Sequence, residues 1–380
     1  MIEEVVGSLL SYADIKINGK NPWDLIVHDN RFYKRLFKDV ERSLGETYME
    51  GWWDCEKLDD FFFKIFQVNL EQKFLTHPTF WRTYVKQQLY ASLRKFFNYQ
   101  TKRKALDVGK QHYDIGNDLY QIMLDQSMIY TCGYWEKANT LDEAQEAKLE
   151  LTCQKLQLKP GMRLLDIGCG WGGLAKYAAI HYGVSVVGIT ISNEQLKLGQ
   201  EFCQGLDVEL KFMDYRDLIT TNLKFDRIVS LGMFEHVGCK NHKIYMKSVA
   251  HCLKDNGLFL LHTIGGNQST SICDSRWMNT YIFPNGQIPS ITQIGNSIER
   301  LFVMEDWHNF GSDYDQTLLA WHQNFNQNWD KISQHYDERF RRMWNYYLLS
   351  CAASFRARQN QLWQVVLSKQ GIPNGYKRTY

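Results

Sequence analysis

Polar and apolar positions along the chain fall into two rhythms. Short runs rich in apolar and β-branched residues occur at Arg163–Ile167, Val184–Ile189, Val208–Met213, Arg227–Leu231 and Leu258–Leu261, and predict strands. Segments of helical period, Leu174–His181, Asn193–Gln204 and Lys243–Lys254, lie between them. Such alternation implies a parallel sheet with right-handed crossovers. Upstream, Leu119–Leu124 and Leu141–Leu156 read as helices; Asp142 and Glu143 suit the positive end of the second. Downstream, Gly265–Arg300 breaks the alternation, Leu301–Met304 and Leu362–Leu367 supply two last strands, and Thr317–Arg358 is mostly helical and aromatic. The fold class is therefore α/β: a mostly parallel seven-stranded sheet with helices on both faces.

A smaller α+β module precedes it, with the boundary placed between residues 105 and 106. Ile15–Asn18 reads as a strand, Phe32–Leu44 and Leu58–Leu70 as helices, and Glu50-Gly51-Trp52-Trp53-Asp54 as a tight aromatic turn. The stretch Arg82–Lys104 carries seven basic residues and no acid, with Val85, Leu89, Leu93 and Phe96 near helical spacing. It admits two readings equally: a basic amphipathic helix for an anionic membrane surface, or a linker helix with a solvated basic face.

Composition narrows the function classes. A net charge of +2 gives no electrostatic case for nucleic acid. Aromatics at 14% suit deep apolar pockets or interfacial contact. No apolar run approaches a membrane span, and the acidic N-terminus lacks a signal-peptide pattern. Nine cysteines without a C-x-x-C pair argue for reduced thiols in a cytoplasm, and against a zinc site.

The chemistry centres on Asp166-Ile167-Gly168-Cys169-Gly170-Trp171-Gly172-Gly173, between a strand and a helix. Backbone here can approach a ligand closely, and the helix start offers free N–H groups. Gly168, Gly170 and Gly173 satisfy the dinucleotide fingerprint, yet no acid ends the next strand, Val186-Val187-Gly188-Ile189-Thr190. The acid precedes the glycines instead. Asp-x-Gly-x-Gly-x-Gly resembles the first motif of class I, Rossmann-like methyltransferases that bind S-adenosylmethionine.

Further stretches carry a narrower resemblance. They are Tyr130-Thr131-Cys132-Gly133-Tyr134-Trp135, Gly232-Met233-Phe234-Glu235-His236-Val237-Gly238, Leu261-His262-Thr263-Ile264-Gly265, Tyr281-Ile282-Phe283-Pro284-Asn285-Gly286 and Glu305-Asp306-Trp307-His308-Asn309-Phe310-Gly311. From about residue 106 onward the chain resembles the cyclopropane-fatty-acyl-phospholipid synthase family. Its N-terminal module also looks like that of the full-length bacterial members. The resemblance implies that residues 106–380 form the catalytic domain and residues 1–105 an accessory module for membrane or dimer contacts. The implied reaction moves a methylene group from S-adenosylmethionine to the cis double bond of an unsaturated phospholipid acyl chain, and bound bicarbonate takes the proton. It implies a homodimer on a bilayer surface, peripheral to the inner face of the membrane.

Carried onto this sequence, Glu235 would partner the bicarbonate. His262, Cys132, Tyr314 and the backbone N–H of Ile264 would surround it. For the cofactor, Tyr130 and Thr131 match positions at the methionine end. Asp166, Gly168, Gly170, Trp171 and Gly172 form the turn. Thr190, Ser192 and Gln195 stand where a ribose carboxylate is usual. Asp214, Tyr215 and Arg216 lie at the adenine, with Asp214 able to accept from its amino group. Cys351 is a family candidate for a nucleophile, although an attacking alkene needs none and helix packing is the plainer reading. Two rival functions remain: a small-molecule N-methyltransferase on the same fold, and a membrane-binding protein without catalysis.

Overall fold

The computed structural model describes residues 2–78, 85, 98, 100–102, 116–270 and 275–378. Most of the basic stretch Arg82–Lys104 lies outside them.

The seven-stranded sheet is built from β3 (Arg163–Ile167), β4 (Ser185–Thr190), β5 (Val208–Phe212), β6 (Phe225–Leu231), β7 (Leu253–Gly266), β8 (Val303–Asn309) and β9 (Asn360–Ser368). Their order is β5-β4-β3-β6-β7-β9-β8. From β5 to β7 every pairing is parallel; β9 runs antiparallel to both β7 and β8. The chain leaves β3 toward β4 and β5, then returns to β6 on the other side of β3. That reversal opens a crevice at the carboxyl ends of β3 and β6, where such sheets bind ligands. The glycine turn follows β3, and Gly232–Val237 follows β6.

β7 extends well beyond the apolar core Leu258–Leu261, so His262 sits inside the strand rather than at its end. The Leu141–Lys155 helix opens with a complete capping box between Thr140 and Glu143. The aromatic C-terminal region forms two helices, Asp313–Gln327 and Glu338–Arg356.

The N-terminal module departs from its sequence reading in four places. Phe32–Leu44 is not one helix: Asp39 adopts an extended conformation and caps a second helix, Val40–Met49, by accepting from Arg42 N. Leu58–Leu70 breaks at Asn69, whose φ of 50° is left-handed. Ile15–Asn18 contributes only an isolated bridge from Ile17 to Leu25. The aromatic turn instead supplies strand β2 (Trp53–Asp54), antiparallel to β1 (Ile26–Val27).

One hydrophobic cluster runs from Val6 through Trp53, Phe61 and Phe62 into Trp277, Tyr346 and Leu362. Tyr346 meets Phe62 at 5.0 Å and Trp277 at 4.5 Å between ring centroids. Arg356 ties the same elements by charge, reaching Asp59 (2.8 Å), Asp60 (3.0 Å) and Asp315 (2.9 Å).

Gly45 lies inside the Val40–Met49 helix for a packing reason. A Cβ there would stand 2.4 Å from Trp277 Cδ1 and Nε1. Trp277 is buried and donates to Met49 Sδ at 3.3 Å, so it has little room to yield. At an exposed helix site Gly→Ala adds up to about 1 kcal/mol of stability. Here Gly45→Ala is expected to remove about 1–3 kcal/mol through overpacking. A lower thermal midpoint would bear this out; a higher one would refute the packing account.

Candidate active site

Two cavities meet at the carboxyl edge of the sheet. The first, about 170 Å³, is lined by the glycine turn, the loops after β4, β5 and β6, and Gln100. Gly170 has φ of +55°, and a Cβ on it would meet no protein atom within 4 Å. Gly170 is itself part of the cavity lining. Trp171 lends backbone to this wall while its ring turns away: Nε1 donates to Asn117 Oδ1 at 2.9 Å, and the ring packs on Tyr120.

The loop after β4 is held from within. Thr190 Oγ1 donates to Gln195 Oε1 at 2.9 Å and accepts from Ser192 N at 3.2 Å. Ser192 caps the Asn193–Phe202 helix. The donor end of Gln195, Nε2, has no partner among the described residues. After β5, Asp214 is committed elsewhere: Arg216 binds both its oxygens, at 3.0 and 2.8 Å. The expected bond from Asp214 to an adenine would have to share that carboxylate. Arg216 also reaches the carbonyl of Gln100 at 2.6 Å. Tyr215 lies against Tyr245, 5.0 Å between centroids, and lines the same cavity.

Asp166 is buried on β3, and burial raises its pKa to about 7 despite nearby Lys148. Lys148 is fully buried in turn, which pulls its ammonium down to about 8 against the attraction of Asp125, Cys132 and Asp166. It donates to Thr131 Oγ1 at 3.0 Å.

The second cavity, about 480 Å³, is larger and mostly aromatic and aliphatic. Its walls come from the N-terminal module (Phe32, Phe61, Phe66, Phe74) and from Trp277, Phe283 and Tyr346. Tyr130, Thr131, Gly232 and His236 line both cavities and mark the passage, the boundary that the two share. Tyr130 is fixed there by a 2.9 Å bond between its hydroxyl and that of Tyr347.

Glu235 faces the second cavity close to this passage. Its Oε1 accepts from Ile264 N at 2.6 Å; its buried Oε2 has no partner among the described residues. Burial raises its pKa to about 7, opposed by the Ile264 N–H bond. Ile264, Tyr314 and Cys351 line the same cavity. The Ile264 N–H that the sequence assigned to an anion is thus held by Glu235 itself. Burial lifts the Cys351 thiol to about 12, which disfavours a thiolate nucleophile.

Cys132 and His262 stand behind the passage and line neither cavity. The Cys132 thiol donates to Gly133 O at 3.1 Å and lies 3.7 Å from Thr317 Oγ1. His262 holds Nδ1 within 3.4 Å of Gln364 Nε2, and its Nε2 has no partner among the described residues. Burial, with Lys148 and Lys155, pushes its pKa well down, so the ring is neutral.

Sequence reasoning missed Gln100, Gln145, Lys148 and His236. A signal for two of them existed: Gln145, Lys148, Thr152 and Lys155 repeat at helical spacing beside the apolar stripe, and all four are buried. Gln100 carried no such signal. Its place beside Arg216, Asn241 and Asn285 arises only from the fold.

The geometry can be set beside known proteins. A model of the mycolic acid cyclopropane synthetase family matches residues 100–365. The chain belongs to that family. Like its relatives, this cyclopropane synthase family member is an S-adenosylmethionine-dependent methyltransferase. It is 53% identical over 373 residues to the cyclopropane-fatty-acyl-phospholipid synthase of Escherichia coli (strain K12), a match covering 98% of this chain and 94% of that protein. A probable fatty acid methyltransferase of Pseudomonas putida is 38% identical over 278 residues, 70% of each chain. Among solved structures, the cyclopropane synthase MmaA2 of Mycobacterium tuberculosis aligns with a TM-score of 0.64 and 31% identity, over 70% of this chain and 98% of its own. The mycolic acid cyclopropane synthase CmaA1 complexed with SAH and CTAB aligns equally well.

The first cavity fits the cofactor of this family on its own features. It pairs an open face at Gly170 with a donor at Gln195 and a buried carboxylate at Asp166. No group of three or more metal-ligating side chains is found among the described residues.

Proposed function

We propose that this protein transfers a methylene group from S-adenosylmethionine to the cis double bond of unsaturated phospholipid acyl chains, closing a cyclopropane ring. The observation that supports this is a glycine-walled cavity and a larger apolar cavity that share Tyr130, Thr131 and Gly232 in their linings. S-adenosylmethionine, when bound, supplies an electrophilic methyl group.

The chain's own residues do the remainder. An isolated alkene is a weak nucleophile, so alignment must provide much of the rate. The Phe32, Phe61, Phe66 and Trp277 walls would hold the acyl chain, and the Tyr130–Tyr347 pair would fix its height at the passage. The same walls exclude water, which would otherwise capture the cation formed on the acyl chain. Glu235, with Tyr314 beside it in the second cavity, would hold bicarbonate, which supplies a base that alkylation does not permanently damage. The orphaned Oε2 of Glu235 supports such an ion. A bilayer is the natural source of the substrate, and among the described residues no helix is long and apolar enough to cross it. Peripheral attachment is the corresponding reading.

The aromatic length of the second cavity favours an acyl chain over a small amine. Lipids extracted from cells making the protein are expected to gain one CH2 per modified unsaturated chain by mass spectrometry. An unchanged lipid profile, with methyl transfer to a soluble amine instead, would overturn the assignment.

A further inference from the structure

The Leu141–Lys155 helix runs behind the passage between the cavities, and neither Gln145 nor Lys148 lines either one. Three residues apart, they share one helix face. Both are fully buried. Both reach the same residue: Gln145 Nε2 donates to Thr131 O at 2.8 Å, and Lys148 Nζ donates to Thr131 Oγ1 at 3.0 Å. On its remaining side Thr131 presses on Gly232, where a Cβ would stand 2.6 Å from Thr131 Cγ2. Thr131 is thereby gripped at its carbonyl, its hydroxyl and its methyl group. The preceding segment is held as well, because Asp125 accepts from Ser127 N at 2.8 Å and Ile129 N at 2.9 Å.

Stability alone does not account for a buried lysine. Taking an ammonium out of water costs several kcal/mol, and an apolar side chain of similar volume often serves packing as well or better. The charges of Asp125, Cys132 and Asp166 favour the ammonium form of Lys148. Its one side-chain hydrogen bond among the described residues goes to Thr131, which lines both cavities.

We propose that Lys148, assisted by Gln145, is a positioning residue that sets Thr131 at the opening between the two cavities and so maintains the alignment of methyl donor and alkene. This rests on the reaction proposed above. The role differs from binding, since neither side chain touches either cavity.

The test uses the full-length protein with vesicles of unsaturated phospholipid. Lys148→Met is expected to fold, to keep S-adenosylmethionine affinity by calorimetry and KM for lipid within a few-fold, and to lose roughly 10–100-fold in kcat, as a misplaced reacting group does. Gln145→Met removes the other grip without touching a charge, and is expected to shift kcat in the same direction. The double variant Lys148→Met/Thr131→Val is expected to be no slower than the slower of its two single variants, because the lysine acts through Thr131. Unchanged kcat in both methionine variants, or losses that multiply in the double variant, would overturn the proposal. If Lys148→Met does not fold, Gln145→Met decides: its wild-type kcat overturns the positioning role. Wild-type protein that makes no cyclopropane lipid overturns the underlying reaction, and the positioning proposal with it.

Discussion

Glu235→Gln is expected to lower turnover by ~10²–10⁴-fold while S-adenosylmethionine affinity stays close to wild type. The carboxylate lines the second cavity and not the one walled by the glycine turn, so its loss leaves the first cavity's lining intact. The amide can still accept from Ile264 N through Oε1. At the position of Oε2, however, it can present an N–H donor where an anion's O–H needs an acceptor. Depleting carbonate from the buffer is expected to slow the wild type, and adding it back to restore the rate. Full activity of Glu235→Gln in carbonate-free buffer would remove the bicarbonate mechanism and leave the methyl-transfer fold untouched.

The same substitution has an opposite effect on stability. A glutamate of ordinary pKa near 4.3 is raised by burial to about 7 in the fold. Between those values the native state binds more protons than the unfolded state. Stability contributed by this site therefore falls as pH rises through that window. Glutamine carries no such burden. The thermal midpoint of Glu235→Gln relative to wild type is expected to rise from pH 5 to pH 8, by an amount equivalent to roughly 3 kcal/mol at most. A gap that narrows with pH would show that the carboxylate is ionised at little cost.

Gly170→Val is expected to abolish S-adenosylmethionine binding in calorimetry while the protein remains folded. The residue lines the first cavity with φ of +55°, and a Cβ on it would meet no protein atom within 4 Å. Valine would project two methyl groups into that space and would strain the turn by roughly 1–2 kcal/mol, since β-branched residues resist left-handed backbone. The strain is a small part of a domain's stability, whereas steric exclusion acts directly on the ligand. Wild-type affinity in Gly170→Val would locate the cofactor elsewhere.

How far the sequence reached can be judged element by element. β3, β4 and β6 were legible because an apolar run between two turn signals permits few alternatives. The glycine turn was legible because only glycine suits a residue like Gly170, so spacing and geometry coincide. Glu235 was legible through the motif around it and through its place after β6. The sequence misplaced β2 because Trp52-Trp53 within a short polar stretch reads as a turn, and pairing with Ile26–Val27 is non-local. It overran the helices at Asp39 and Asn69, where single polar residues broke an otherwise continuous helical period.

The tertiary structure decided matters of a different kind. It set the second cavity between the N-terminal module and the Glu338–Arg356 helix, which no local pattern links. It gave Glu235 the Ile264 N–H and gave the Asp214 carboxylate Arg216 as a partner. It buried both Lys148 and Asp166, and the pKa of each is shifted chiefly by that loss of water. The sequence determined the sheet, the glycine turn and the family motifs, because these depend on residue type and short-range spacing. Only the folded chain determined which groups keep a free valence for a ligand, because hydrogen-bond partners and desolvation come from residues far apart in sequence.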